Sequence, residues 1–312
     1  MLGEAYARRD FNRNELRRHW IGSLFSRLHG LVKMIRTTRN WYSILISALL
    51  KWQCVARFRG GNSFLITRDQ LPNYFAIRDM VFDNLTRRGP KIRLTMHDCL
   101  GQVLEVNACK FIIAPKFDAA AIPVFFKLLY DQKLAGYEVI DIGAYTGDSA
   151  ICFASKGARV YAYEPVAEAF AMLSKNVALN GMQDVIATFN CAVGQEGRTT
   201  IYLDTGRSYA SSSYRRTNKE VEVDSVTIED AIKKCHPDTR KLLKVNCEGC
   251  EFAIVSAKNA PVLAKFHKII CFYHSYLTRI PRDVLLEALQ LAGFRAIAIG
   301  DQRGGLIVAQ RS

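Results

Sequence analysis

Residues 139–165 read VIDIGAYTGDSAICFASKGARVYAYEP, and no other stretch restricts the chain as much. An apolar run reaches Asp141 and turns at Gly143. A second glycine stands at Gly147, a helical segment fills residues 146–155, and a second apolar run ends at Glu164-Pro165. Short apolar runs separated by helix-length segments are the pattern of parallel strands covered on both faces. The rhythm continues with a helix from Ala167 to Leu179, stopped at Asn180-Gly181, then strands in DVIATFNCAV, LLKVNC and KIICFYH. This alternation specifies an α/β fold, a doubly wound and mostly parallel sheet. RTTIYL and KEVEV break the rhythm as a hairpin around the polar loop Asp204–Asn218. Thr227 and Asp230 have capping-box spacing. Pro281 opens a helix that Gly293 ends. FRAIAIG and GLIVAQ form a closing strand pair.

The segment before this region has a different texture. Residues 5–36 place Phe11, Leu16, Trp20, Leu24, Phe25, Leu28 and Leu31 at helical spacing among arginines. A second helical stretch covers 40–52. CVARFRGGNSFLIT reads as a hairpin, and KIRLTMHD with QVLEVNA, either side of Gly101, as another. The expected organisation is a basic helical arm over 1–53, a small antiparallel β unit over 54–115, and the α/β domain over 116–312. Of the net charge of +14, residues 1–60 carry +9, from 12 Lys/Arg against 3 Asp/Glu. Such an arm suits an anionic partner, either a membrane surface approached peripherally through residues 1–53 or nucleic acid. Nucleic acid is the less favoured of the two, since no RNA-binding module is visible in the sequence. No apolar run of about 18 residues is present, so no spanning helix is expected. Arg8, Arg9 and Asp10 are not followed by the apolar core of a secretory signal. Nine scattered cysteines fit a reducing compartment, and the expected location is the cytoplasm.

The turn after the first strand points to a nucleoside. Gly143 and Gly147 let backbone approach a ligand closely, and Glu164 stands at the tip of the next strand, where an acid grips ribose hydroxyls. A dinucleotide-binding turn has three glycines and places a pyrophosphate on the helix N-terminus. Here the third glycine is missing and Asp141 precedes the first. A carboxylate there suits a ligand with a positive charge and an amine. S-adenosylmethionine has both. The closing pair FRAIAIG and GLIVAQ supports the same choice, because class I methyltransferases end with an antiparallel strand inserted into the sheet.

From about residue 137 to 310 the chain resembles the FkbM family of S-adenosylmethionine-dependent methyltransferases. The resemblance rests on VIDIGAYTGD, AYEP, NCAVG and LLKVNCEGCE, in that order. It implies a Rossmann-like class I methyltransferase fold, S-adenosyl-L-methionine as cofactor, and O-methylation of a sugar, glycolipid or other small-molecule hydroxyl. The residues assigned to the cofactor are Asp141, Gly143, Ala144, Tyr145, Thr146, Gly147, Glu164, Pro165, Asn190 and Cys191, with Asn190 directed at adenine. Those assigned to catalysis are Glu248, His274, Lys244 and Asn246. Glu248 or His274 takes the hydroxyl proton, and Lys244 positions Glu248. Two positions depart from the family. Asn246 stands where an aspartate is usual, and Phe272 stands where an acid often precedes the histidine by two residues. These departures leave a catalytically inactive binder of the cofactor as one alternative, and an RNA methyltransferase using the basic arm as another.

Cys247-x-x-Cys250 and Cys271-x-x-His274 together have the composition of a zinc site. Cys271 and His274 lie three apart on one expected strand, so their side chains face opposite sides, and no metal is expected. Cys247 and Cys250 fall at variable positions of the family motif, and a disulfide between them is left open.

Overall fold

The β-branched runs of the second half do form strands, and their order in space is the informative feature. The computed structural model describes residues 30–50, 54–59, 61, 63–66, 71–85, 92–97, 101–114, 121–129, 132–203, 217 and 219–311. A helical segment over residues 30–37 (α1) precedes α2 (Trp41–Leu50). The hairpin β1 (Cys54–Arg57) and β2 (Ser63–Ile66) follows, then α3 (Leu71–Leu85). A three-stranded antiparallel sheet comes next, with β3 (Ile92–His97), β4 (Gly101–Val106) and β5 (Cys109–Ile113). Helix α4 (Ala121–Leu128) leads into the α/β region.

That region runs β6 (Tyr137–Ile142), α5 (Asp148–Ser155), β7 (Arg159–Tyr163), α6 (Ala167–Leu179) and β8 (Ile186–Phe189). A side sheet is formed by β9 (Ala192–Val193), β10 (Gly197–Tyr202) and β11 (Glu220–Val226), in the order β10-β11-β9. Then come α7 (Ile228–Ile232), β12 (Arg240–Val245), α8 (Glu251–Ile254), α9 (Ala260–Leu263), β13 (Lys268–Tyr273), α10 (Ser275–Thr278), α11 (Asp283–Leu291), β14 (Phe294–Gly300) and β15 (Gly305–Arg311). The main sheet has seven strands in the order β8-β7-β6-β12-β13-β15-β14. The first five are mutually parallel. β15 is inserted antiparallel between β13 and β14. This is the class I methyltransferase order, with the chain reversing direction across the sheet between β6 and β12. Ligands bind at such a switch point, beyond the carboxyl ends of the strands.

β6 is buried at all six positions, which is why its sequence reads as a continuous apolar run broken only by Glu138 and Asp141. The capping box holds as read: the Thr227 hydroxyl accepts the Asp230 N–H at 3.1 Å and opens α7. The hairpin β10–β11 pairs Gly197 with Ser225 through Tyr202 with Glu220.

Two features of residues 54–115 correct the sequence reading. The region is not all β, because α3 lies between its two sheets. It buries Asn73, Tyr74, Ile77 and Val81, spaced one helical face apart. The second hairpin is a meander, since β5 pairs with β4 across a tight turn at Asn107-Ala108, both with positive φ. This part also shares its core with the α/β region. Phe58, Tyr74 and Phe111 belong to one apolar cluster with Val139, Phe153 and Leu173. Polar bonds reinforce the seam. Asn176 of α6 accepts the Ile112 N–H at 2.9 Å and donates to the Thr146 carbonyl at 2.8 Å. Asn180 exchanges a pair of hydrogen bonds with the Lys110 backbone, both at 2.7 Å. The boundary near residue 115 therefore separates sequence textures and not packing units. Of the basic arm, the helical face through Phe11, Trp20 and Leu28 and the charges before residue 30 lie outside the described residues, as does most of the Asp204–Asn218 loop. Among the described residues no helix is long and apolar enough to cross a membrane.

The glycine turn is where backbone crowding is greatest. Gly143 has φ 72°, and a Cβ on it would stand 1.9 Å from the Asn246 carbonyl oxygen. Gly181 has φ 62° but faces open space. Gly143→Ala should therefore cost on the order of 3–5 kcal/mol, because strain and collision combine. Gly181→Ala should cost about 1 kcal/mol for the left-handed backbone alone. Urea unfolding of the two variants measures the difference. Equal costs would show that the contact with Asn246 is not what demands glycine.

Candidate active site

β6 and β7 end side by side, and their two carboxylates do different things. Asp141 is fully buried. Its Oδ2 accepts the Ser149 hydroxyl at 2.6 Å, and its Oδ1 lies 2.8 Å from Lys244 Nζ. Lys244 sits opposite Asp141 in the β6–β12 register and is equally buried. Its ammonium also donates to the Gly143 carbonyl at 2.7 Å and the Ile142 carbonyl at 3.3 Å, and it stands over the Phe125 ring. The sequence reading placed Lys244 beside Glu248. The structure instead puts it under the glycine turn, because side chains of β12 alternate and position 244 faces β6 at Asp141.

The turn itself spends its donors internally. Gly143 and Ala144 N–H both point at the Tyr163 carbonyl at 3.0 Å, and Gly147 N–H reaches the Ala144 carbonyl at 2.8 Å. Tyr145, at φ 51°, donates its N–H to Glu164 Oε2 at 2.9 Å. Helix α5 then opens with the buried carboxyl of Asp148. Burial raises that group to about 6, with Asp141 adding to the rise and Lys244 opposing it. A helix N-terminus already facing a carboxyl, below a turn that has committed the amides of Gly143, Ala144, Tyr145 and Gly147, is a poor seat for pyrophosphate. The sequence argument against a dinucleotide thus gains a geometric basis.

Glu164 is also buried, and burial raises it to about 7 against the lowering effect of its two backbone hydrogen bonds. Oε1 accepts the Val166 N–H and Oε2 the Tyr145 N–H, both at 2.9 Å. One bond to each oxygen leaves acceptor capacity on both, the right chemistry for a ribose diol. Asn190 was assigned to adenine. Its amide nitrogen donates to the Glu164 and Pro165 carbonyls at 2.9 and 3.2 Å, so it fixes the strand tip that carries Glu164. Cys191 is half-buried beside it, at the edge of the second apolar cluster.

The other side of the cleft is built after β12 and β13. Asn246 donates its backbone N–H to the Ile142 carbonyl at 3.0 Å, which locks this turn to the first one. Glu248 follows at φ 51° and Gly249 at φ 115°. His274 Nε2 is 3.5 Å from Glu248 Oε1, and both side chains are partly exposed. The Tyr276 hydroxyl reaches Glu248 Oε2 at 3.4 Å. Beneath them Glu251 is wholly buried. Its Oε1 accepts the His274 backbone N–H at 2.7 Å and lies 3.0 Å from Nδ1, while Oε2 accepts the Gly249 N–H at 2.8 Å. Burial alone would push the His274 imidazole down. The hydrogen bond and charge of Glu251, with the charge of Glu248, outweigh it and raise the pKa.

Glu251 and Tyr276 were not assigned by sequence. Glu251 was visible as the last letter of LLKVNCEGCE, but its bond to a residue 23 positions away was not. Phe272 packs on Phe125 at 5.6 Å between ring centroids, so the position usually held by an acid contributes an apolar floor. Cys247 and Cys250 form a disulfide across Glu248-Gly249. Cys271 is buried with its thiol pushed well up by desolvation, and no cluster of metal-binding side chains exists among the described residues.

Residues 141–295 match the family model for the methyltransferase FkbM domain, so this part of the chain is a methyltransferase domain of the FkbM family. It is an S-adenosylmethionine-dependent methyltransferase, and the acceptor capacity left on buried Glu164 fits the ribose of that cofactor. No curated protein matches the chain. Among solved structures, a putative rRNA-methylase from Clostridium thermocellum is 11% identical over 59% of this chain and 92% of its own, with a TM-score of 0.39. The METTL16 methyltransferase domain is 14% identical over 82% and 86%, with a TM-score of 0.40. A precorrin-6y C5,15-methyltransferase from Geobacter metallireducens GS-15 is 13% identical over 65% and 94%, with a TM-score of 0.38.

The raised His274 value has a testable origin. Its contribution to stability is complete below the ordinary value near 6.5 and is lost as pH rises through the higher folded value. Glu251→Gln keeps the shape and removes the charge. The His274 midpoint, followed by NMR, should fall, and the extra stability on the acid side should disappear. An unchanged midpoint would mean that Glu251 does not set the imidazole.

Proposed function

We propose that the protein is an O-methyltransferase that acts on a hydroxyl of a sugar, glycolipid or similar small acceptor. One observation carries this reading. A partly exposed His274–Glu248 pair, held from below by buried Glu251, stands across a backbone seam from the glycine turn. Bound S-adenosylmethionine supplies an already activated methyl group. The chain's task is then to bind, align and remove one proton.

Gly143, Tyr145 and Gly147 shape the wall for the methionine part, and Asp141 with Lys244 holds that wall in place from behind. Glu164 accepts the ribose hydroxyls, and Thr146 and Pro165 flank the opening. On the opposite side Glu251 Oε1 faces His274 Nδ1, an arrangement that in the neutral imidazole puts the proton on Nδ1 and the Nε2 lone pair toward Glu248. An acceptor hydroxyl between Nε2 and Glu248 Oε1 would give its proton to one of them. Asn246 borders this space and contributes an amide, so the general base is His274 or Glu248. The basic arm gives the acceptor or its carrier surface an electrostatic attraction.

Calorimetric titration with S-adenosylmethionine tests the cofactor half. Hydroxyl donors favour ionised Glu164, so affinity should strengthen as pH rises from 6 to 8 through the value near 7. Glu164→Gln should flatten that profile and weaken binding at pH 8 by about tenfold or more. Release of S-adenosylhomocysteine over a panel of saccharides, glycolipids and RNA tests the acceptor half. Turnover on a saccharide hydroxyl is expected, lost in His274→Ala with cofactor affinity retained. Methylation of RNA alone would replace this reading, and cofactor binding without any turnover would leave an inactive binder.

A further inference from the structure

We propose that Cys247 and Cys250 are a thiol–disulfide exchange site for a dithiol reductant, and that their redox state sets the position of Glu248 against His274. The significance of Glu248 for chemistry rests on the function proposed above. The exchange itself does not.

The bond closes a ring of four residues, Cys247-Glu248-Gly249-Cys250. The two residues inside it both have positive φ, 51° and 115°. Glycine adopts that backbone freely, whereas a glutamate there carries a cost of about 1 kcal/mol. The closed ring leaves the Glu248 backbone little room to relax, and its carboxylate meets His274 Nε2 from this conformation. The ring also abuts the glycine turn: the Cys247 Cα is 3.5 Å from the position a Cβ on Gly143 would take. Below the ring Glu251 fixes the Gly249 N–H and His274 together. A change in the ring therefore reaches Glu248 first, while His274 stays anchored.

Four of the other described cysteines are less accessible than the pair, whereas Cys54 and Cys191 are half-buried like it. Cys247 and Cys250 are half-buried, within reach of a small thiol. Cys109, Cys152, Cys235 and Cys271 are buried, and desolvation raises each thiol, which suppresses the reactive thiolate.

In the exchange, a thiolate of the dithiol attacks one sulfur of the pair. The S–S bond breaks, a mixed disulfide forms, and the other cysteine leaves as thiolate and takes a proton. The second thiol of the reductant then attacks its own bound sulfur. That step releases the second cysteine and closes the reductant's disulfide. Two electrons and two protons pass to the protein. With the ring open, Glu248 can leave the left-handed region and withdraw its carboxylate from Nε2.

The test uses the full chain purified without reductant. Alkylation after denaturation should leave two of the nine cysteines unmodified, and peptide mapping should identify them as Cys247 and Cys250. Dithiothreitol added to the native protein should make both alkylatable. The His274 midpoint, followed by NMR, should then fall as one nearby carboxylate is lost. The double variant Cys247→Ser, Cys250→Ser should show the lower midpoint with or without dithiothreitol. Nine alkylated cysteines before reduction would overturn the proposal. So would a His274 midpoint indifferent to reduction, and this arm stands even if the double variant fails to fold. S-adenosylmethionine titration of both redox forms separates the two readings. A midpoint shift without cofactor binding would remove the proposed function and keep the exchange site.

Discussion

A lysine and an aspartate face each other in the middle of the sheet with almost no access to water, and the geometry of the site follows from that pair. Lys244 and Asp141 are register partners on β12 and β6. Taking both charges out of water is costly, and removal of either would strand the other at about 3–5 kcal/mol. What the pair accomplishes is orientation. The ammonium gathers a carboxylate oxygen and the carbonyls of Ile142 and Gly143 at once. The turn is thereby drawn down onto the sheet, and Tyr145 is left to give its N–H to Glu164. The same positive charge lowers the pKa of Asp148 and Glu164, which would otherwise be pushed further up by burial.

The second constraint is the contact between the two turns at the switch point. Gly143 has no side chain because the Asn246 carbonyl occupies the space. The Asn246 N–H in turn bonds the Ile142 carbonyl. The contacts that involve Asn246 along this seam are made by its main-chain atoms. The side chain at 246 is thus free of the duty of joining the turns, which explains how asparagine can stand where an aspartate is usual without disturbing the fold. Phe272 is similar, since the position it takes is already roofed by Phe125.

Much of this was legible in the sequence, for reasons that can be named. Strands buried on both faces write themselves as apolar runs, and glycines at positive φ mark the turns between strand and helix. Hence VIDIGAYTG, AYEP and the closing hairpin led to the sheet, its antiparallel insertion and the place of Glu164. What was misread depended on long-range pairing. Lys244 looked like a neighbour of Glu248 because it lies only four positions away, whereas strand alternation turns it toward a residue 103 positions earlier. Glu251 stood in the motif but was given no role, because its partner, His274, arrives from a strand far along the chain. Helix α3 did carry a signal, with Tyr74, Ile77 and Val81 at helical spacing, but the hairpins either side drew the whole stretch into a β reading. Asn180 could be read as a helix stop and not as a clamp on Lys110, since nothing local announces that bond.

That clamp and its neighbour Asn176 have a bearing on how the polypeptide can be divided. Thr146, in the middle of the nucleoside turn, has its carbonyl held by Asn176, and the same amide side chain holds Ile112 of the meander. Excision of everything before β6 would leave Asn176 half-satisfied and uncover Phe153 and Leu173. The stretch that bears the four motifs is accordingly no portable cassette: the small sheets in front of it act as a splint, and a trimmed version would be expected to lose its grip on the nucleoside before it lost its secondary structure.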